Sequence, residues 1–243
     1  MNTNATLEKL GQMRLHGFEK AYAEIINNAR QEKFTSDELI AHLTDAEFDD
    51  RNERKIERLV KQAKFKQQAS LEQINYYHPR GLDKDYLMRL KNGDWIKKSR
   101  DLLITGPTGV GKSFMACAIG FEACLAEFKV MYMTSNMLFD KLMLAKNDGT
   151  YLKIINLIAK KDLLIIDDFG LKKLDAKNCN MMLDIIDDRH ARCSTIITSQ
   201  LPVKSWYDCF AEPTIADAIL DRLTNASYRI DLQGQSMRKV LKI

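Results

Sequence analysis

The octapeptide Gly106-Pro107-Thr108-Gly109-Val110-Gly111-Lys112-Ser113 constrains this chain more than any other stretch. It fits the spacing G-x-x-x-x-G-K-[ST], and the flanks that spacing requires are present. The apolar run Leu102-Leu103-Ile104-Thr105 precedes it, and a segment of helical apolar period, Lys112 to Ala126, follows. Strand, glycine loop, helix is the arrangement that turns backbone N–H groups onto phosphate oxygens, at a helix N-terminus whose potential favours an anion. Lys112 is placed to reach the β- and γ-phosphates, and the Ser113 hydroxyl to ligate Mg²⁺.

A second stretch, Leu163-Leu164-Ile165-Ile166-Asp167-Asp168-Phe169-Gly170, then acquires a meaning. Alone, two adjacent aspartates read as a turn or a helix cap. Beside a phosphate loop, an apolar strand ending in an acid is where nucleotidases hold Mg²⁺, and Asp167 follows the apolar run directly. Asp168 comes one residue later, where a carboxylate can orient or deprotonate the attacking water. Successive strand residues point to opposite faces, so the expectation is a separate face and a separate duty for each acid.

Around these motifs the chain alternates. Strands are expected at 102–105, 129–134, 163–167 and 194–199. Helices are expected at 112–126, from the Ser135-Asn136 cap to the polar break Asn147-Asp148-Gly149, and near 150–160 and 176–192. That order predicts a parallel sheet with helices on both faces. Residues 1–70 read as helical: no proline precedes Pro79, and Thr35–Glu38 and Thr44–Glu47 both have capping-box spacing. Ile56, Leu59, Val60 and Ala63 make one apolar face. Residues 71–100 read as a connector with short helices, in which Trp95 and Ile96 are placed near a nucleotide base.

Net charge is +4, from 37 basic and 33 acidic side chains, and its distribution matters more than its size. Between Arg51 and Lys66 seven basic residues meet two acids. This stretch is either a solvated helix face or a stripe that faces nucleic-acid phosphates. No apolar run approaches the roughly 18 residues of a membrane span, and the N-terminus lacks the pattern of a secretory signal. Five cysteines without a CxxC pair suit a reduced, cytoplasmic chain.

Taken together, these motifs resemble the IstB-like group of AAA+ ATPases, the ATP-binding helper proteins of insertion-sequence transposition. Bacterial helicase loaders of the DnaC and DnaI type are close relatives of that group. The resemblance spans nearly the whole chain: MRLHGF near the start, RNERKIERLVKQAKF, RGLD…GDWI before the first strand, GPTGVGKS, LLIIDDFG, TIITSQLP with Trp206 shortly after, DAILDRL, and GQSMRK near the end.

The resemblance implies an α/β fold with three parts: a small all-α N-terminal domain (1–70), a connector (71–100) and a P-loop AAA+ core (101–243) whose parallel sheet is flanked by helices. It implies ATP held by Gly106, Pro107, Thr108, Gly109, Val110, Gly111, Lys112, Ser113 and Phe114, with Mg²⁺ on Ser113 and Asp167. Lys112 and Asp168 would be catalytic, Gln200 would be sensor 1, and Arg222 would be an arginine finger reaching the next subunit's γ-phosphate. Such a finger supplies roughly 10³–10⁵ in rate in other nucleotidases. Taken alone, Arg222 reads as a surface ion pair worth under about 1 kcal/mol. The helices at 136–160 would match the extra insertion of initiator and loader proteins, which can line a DNA-facing surface.

The chain departs from the family pattern in four places. Asp168 stands where AAA+ proteins at large have glutamate, although Asp-Asp is usual in this group; the shorter side chain favours slow turnover. Gln200 stands where asparagine is commoner, and Met237 where tyrosine is usual. The 18 residues after Asn225 are too few for a C-terminal helical lid, so a sensor 2 arginine on a lid is not expected and Arg238 is a partial substitute.

The implied function is an ATP-dependent homo-oligomer, ring or spiral, that assembles on double-stranded DNA, remodels it and recruits or stimulates a cognate transposase, with hydrolysis driving disassembly. Arg51, Arg54, Lys55, Arg58, Lys61, Lys172 and Lys173 are the candidate DNA contacts. A replicative helicase loader is the alternative; the absence of any cysteine before Cys117 excludes its zinc-bearing form. A small-molecule kinase would share the loop, but the helical N-terminal segment, the acid pair and ILDRL disfavour it.

Overall fold

The structure is a computed structural model that describes residues 3–27, 34–225 and 227–237. It contains two compact units, Met1–Arg58 and Leu59–Ile243, and the division falls inside one long helix.

The first unit is helical: α1 (Thr3–Gln12), α2 (His16–Asn27) and most of α3 (Ser36–Ala63). Ala21, Ile25 and Leu43 form its small core, with Phe18, Tyr22 and Leu39 packed against them. Of the two capping-box candidates, only one caps a helix. Thr35 Oγ1 accepts from Glu38 N while Glu38 Oε2 accepts from Thr35 N, so α3 starts there. Thr44 lies inside α3 and donates to Ile40 O. Glu47 instead turns across to α2, where its carboxylate accepts from Gly17 N and Phe18 N. Those are N–H groups of a helix first turn that lack intrahelical partners, and a negative charge there is favourable. Gly17 is required at this approach, because a Cβ on it would lie 2.2 Å from Ala46 O.

The second unit is an α/β layer structure. After α3 come α4 (Lys84–Lys91), α5 (Asp94–Lys97), β1 (Leu102–Thr105), α6 (Lys112–Leu125), β2 (Val130–Thr134), α7 (Ser135–Asn147), α8 (Tyr151–Ala159), β3 (Leu163–Phe169), α9 (Ala176–Arg189), β4 (Ser194–Ser199), α10 (Pro213–Thr224) and β5 (Tyr228–Asp231). The sheet order is β2-β3-β4-β1-β5, with every pairing parallel. Sheets covered on both faces bury their strands on both sides, and β1 and β4 are buried throughout, β4 with four hydroxyl side chains, Ser194, Thr195, Thr198 and Ser199.

Alternation along the strands divides the core in two. Leu102, Ile104, Tyr132, Leu163, Ile165 and Ile196 pack with α6. Leu103, Met131, Met133, Leu164, Ile166 and Ile197 pack with α7, α9 and α10. The carboxyl ends of β1, β3 and β4 therefore converge beside the N-terminus of α6, where parallel α/β sheets place their ligands.

Candidate active site

The phosphate loop is built from β1 outward. Gly106 N donates to Ser199 O at 3.2 Å, which ties the start of the loop to the end of β4. Gly106 (φ 143°) and Gly109 (φ 85°) have backbones that L side chains rarely adopt, and the space around them is filled. A Cβ would lie 2.3 Å from Leu232 O at Gly106 and 2.1 Å from Ser236 Oγ at Gly109. The segment after β5 thus lies against the loop, and Met237 N donates to Gly109 O. From the other side the buried Arg80 donates from Nη1 to Val110 O and from Nη2 to Asn75 O. Lys112 is buried, and its Nζ donates to Gly106 O (2.8 Å) and Pro107 O (3.0 Å). Burial pulls its pKa down, opposed by the charges of Asp168 and Asp167.

The acids face this loop from β3. Asp167 shares the strand parity of Ile165, which turns it toward α6, and it has no exposed surface. Its Oδ1 accepts from Ser113 Oγ at 3.0 Å and from Thr198 Oγ1. Its Oδ2 accepts from Tyr132 OH. Burial and that bond to Asp167 both push the Tyr132 phenol pKa up, so the hydroxyl remains a donor.

The expected opposite-face arrangement of the acids is not what forms. The β3–β4 register shifts between Ile166 and Phe169, and Asp168 takes a left-handed backbone, φ 60°, with its N–H donated to Thr198 Oγ1. A bulge breaks strict alternation. Both carboxylates consequently meet the same cation: Lys66 Nζ lies 3.8 Å from Asp167 Oδ2 and 3.5 Å from Asp168 Oδ2.

These residues fit Mg²⁺. A buried carboxylate and a serine hydroxyl 3.0 Å apart form a hard, all-oxygen donor set, and the hydroxyls of Thr198 and Tyr132 orient the carboxylate.

The other candidates are placed as follows. Phe114 is half-buried in the first turn of α6 against the core on that face. Gln200 is just beyond β4, and its Oε1 accepts from Thr108 Oγ1 at 2.7 Å, so it belongs to the loop's surroundings. Arg222 on α10 is paired with Asp187 of α9 at 2.5 Å and donates to Ala218 O. Lys172 and Lys173 are exposed in the turn after β3. On α3, Arg51 is paired with Glu47 and Arg54 with Asp50, which neutralises part of the basic stripe, while Arg58 and Lys61 are exposed. Arg238 lies outside the described residues.

Trp95 and Ile96 are corrected: they are core residues. Trp95 Nε1 donates to Leu90 O, and its carbonyl accepts from Ser194 Oγ at the amino end of β4, the opposite end of the strands from the phosphate loop.

Sequence reasoning missed Lys66, Arg80, Tyr132 and Thr198. Tyr132 and Thr198 carried a signal: each is a hydroxyl in a buried strand, and buried hydroxyls need partners.

Comparison with known proteins decides the family. The IstB-like ATP binding protein family matches residues 8–243. This chain belongs to that family. It is 43% identical over 239 residues to the insertion sequence ATP-binding protein y4pL of Sinorhizobium fredii, covering 98% of each chain. It is 40% identical over 203 residues to the ATP-binding protein of insertion sequence IS1162 from Pseudomonas fluorescens, covering 83% of this chain and 88% of that one. Among solved structures, DnaI superposes with a TM-score of 0.58 at 20% identity, over 74% of this chain and 92% of its own. DnaA of Aquifex aeolicus bound to AMPPCP superposes with a TM-score of 0.60 at 15% identity, over 74% and 55%. The fold of this IstB-like protein is therefore that of a P-loop AAA+ domain.

Proposed function

We propose that this IstB-like protein is an ATP-binding and hydrolysing helper of transposition that assembles on double-stranded DNA and recruits a transposase. The observation that carries the catalytic part is the Ser113–Asp167 pair beside the buried Lys112, in a chain whose relatives are insertion sequence ATP-binding proteins.

In this reading, Lys112 exchanges its loop carbonyls for phosphate oxygens, and the N–H groups at the start of α6 hold the triphosphate. Asp167 and Ser113 hold Mg²⁺, which when bound neutralises charge developing on the phosphates. Asp168 orients the attacking water and accepts its proton. Gln200, linked to Thr108, reads the γ-phosphate end of the loop. Arg222 leaves Asp187 to complete a neighbouring subunit's site. That exposed pair is worth no more than about 1 kcal/mol, so assembly can break it. DNA is held mainly through phosphates by Arg58 and Lys61, with Arg51, Arg54, Lys55, Lys172 and Lys173 adding charge, so binding is salt-sensitive and weakly sequence-specific.

The test is Lys112→Ala. We expect loss of ATP affinity by on the order of 100-fold or more, a lost charge-assisted contact to phosphate, together with loss of ATP-dependent assembly on a DNA duplex. Unchanged affinity for ATP removes the phosphate-site assignment. Retained affinity for ATP in the wild type with no DNA binding at low salt removes the DNA role alone.

A further inference from the structure

One charge at the site is not accounted for by the motifs. Lys66 lies outside the phosphate loop and all five strands, in the segment that leaves α3. That helix ends at Ala63, and Lys64 turns the chain with φ 57°. Phe65 then seats over Gly120 of α6, where a Cβ would come 2.6 Å from Phe65 Cε1 and 2.7 Å from Ile165 Cδ1. The missing side chain at Gly120 is what lets the segment lie this close. The next residue is Lys66, which reaches both Asp167 and Asp168.

The four groups around Asp167 differ in kind. Ser113, Thr198 and Tyr132 present neutral hydroxyls. A hydroxyl has lone pairs and can rotate to donate to the carboxylate while its oxygen faces a cation. An ammonium has three donors and no lone pair. It cannot ligate a metal, and it repels one at short range. Lys66 adds a second positive charge, beside that of Lys112, to two adjacent carboxylates, one fully buried and the other 29% exposed. The Lys66 side chain is 49% exposed, so it can swing to solvent at little cost.

We propose that Lys66 is a positioning residue that clamps the Asp167–Asp168 pair and competes with the divalent cation for it, so that metal–nucleotide loading expels the ammonium and frees segment 64–68. This rests on the reading of Ser113 and Asp167 as the metal ligands. By linkage, whatever lowers metal occupancy at Asp167 strengthens the clamp, and whatever displaces segment 64–68 raises metal affinity by the same factor. The segment is continuous with the basic helix, which gives that helix a covalent route to the site.

The experiment uses the full chain as wild type, Lys66→Met, Lys66→Arg and Ser113→Ala. Mg²⁺ is titrated against a fluorescent ATP analogue, and the Mg²⁺ concentration at half-maximal tightening of binding is read. Lys66→Met lowers that midpoint by roughly three- to tenfold, the range expected for one partly screened charge, while Lys66→Arg stays near wild type. Thermal unfolding supplies a readout independent of turnover. With chelator and no nucleotide, Lys66→Met melts below wild type, because the acids keep only the Lys112 charge, and the gap closes with Mg²⁺–nucleotide. An equal or higher midpoint in Lys66→Met overturns the proposal. A Mg²⁺ dependence in Ser113→Ala equal to that of wild type overturns the underlying metal-site reading instead.

Discussion

The two ends of the parallel sheet each hold a carboxylate, fully buried Asp167 at one and half-buried Asp101 at the other, and they use it differently. At the amino end, Asp101 Oδ1 accepts from Thr195 N. Close by, Arg189 is 2% exposed and donates to the carbonyls of Ile158, Lys161 and Ser194 and to Thr195 Oγ1. These bonds run mainly from side chain to backbone and tie β4 to the ends of α8 and α9. At the carboxyl end, Asp167 takes its bonds from side-chain hydroxyls, Ser113, Thr198 and Tyr132, with a half-exposed ammonium nearby. Hydroxyls and lysines can re-aim when a ligand arrives; strand carbonyls cannot. One end is a joint and the other is the proposed site, although both carry an acid and a basic partner.

The largest effect that breaks this symmetry belongs to the carboxyl end. Asp168→Asn should lower ATP turnover by roughly 10²–10⁴, the span of general acid–base contributions, while still binding nucleotide. Arg222→Ala should lose turnover similarly, and mixing the two variants should restore part of it, measured as phosphate release, because each supplies what the other lacks. No recovery on mixing excludes a finger supplied between subunits.

At the amino end the expected loss is in stability. Arg189→Leu removes four hydrogen bonds, three of them to backbone carbonyls, and should cost about 3–5 kcal/mol in denaturant unfolding. Its phosphate site should remain intact in the fraction that is folded.

The smallest effect sharpens the contrast between the acids. Burial raises the Asp101 pKa to about 6, partly offset by the Thr195 bond and Arg189. The folded protein then holds this proton more tightly than the unfolded chain. The favourable contribution is complete below the unfolded pKa and is lost as pH rises through about 6. Asp101→Asn should remove that slope. The stability of the variant relative to wild type should rise by up to about 3 kcal/mol between roughly pH 4 and pH 7, at 1.36 kcal/mol per pKa unit. A constant difference across that range would show that Asp101 does not titrate in the folded state.

The carboxyl-end side of this contrast was legible beforehand, and the reason is local; the amino-end joint of Asp101 and Arg189 was not. The phosphate loop, β1, α6 and β4 follow from short-range rules: apolar runs, glycine spacing and a helix start. The α/β alternation follows from the order of such segments. Features that depend on contacts between distant segments were not legible. Thr35–Glu38 and Thr44–Glu47 have the same spacing, yet only the first caps a helix; the second is spent on Gly17 and Phe18, some thirty residues away. Trp95 lies close in sequence to the phosphate loop, yet it packs at the amino end of the strands.

Sequence alone determined that this chain builds a phosphate loop on a parallel sheet with an acid at the end of a second strand, because those features arise from residues within a few positions of one another. The tertiary structure decided which way the second acid turns and what meets it. The β3 bulge exists only through pairing with β4, and it turns Asp168 to the same lysine as Asp167. That lysine arrives from about a hundred residues earlier, because Gly120 leaves room for Phe65 beside it. No periodicity or motif encodes such an approach. It is set by the packing of one segment on another.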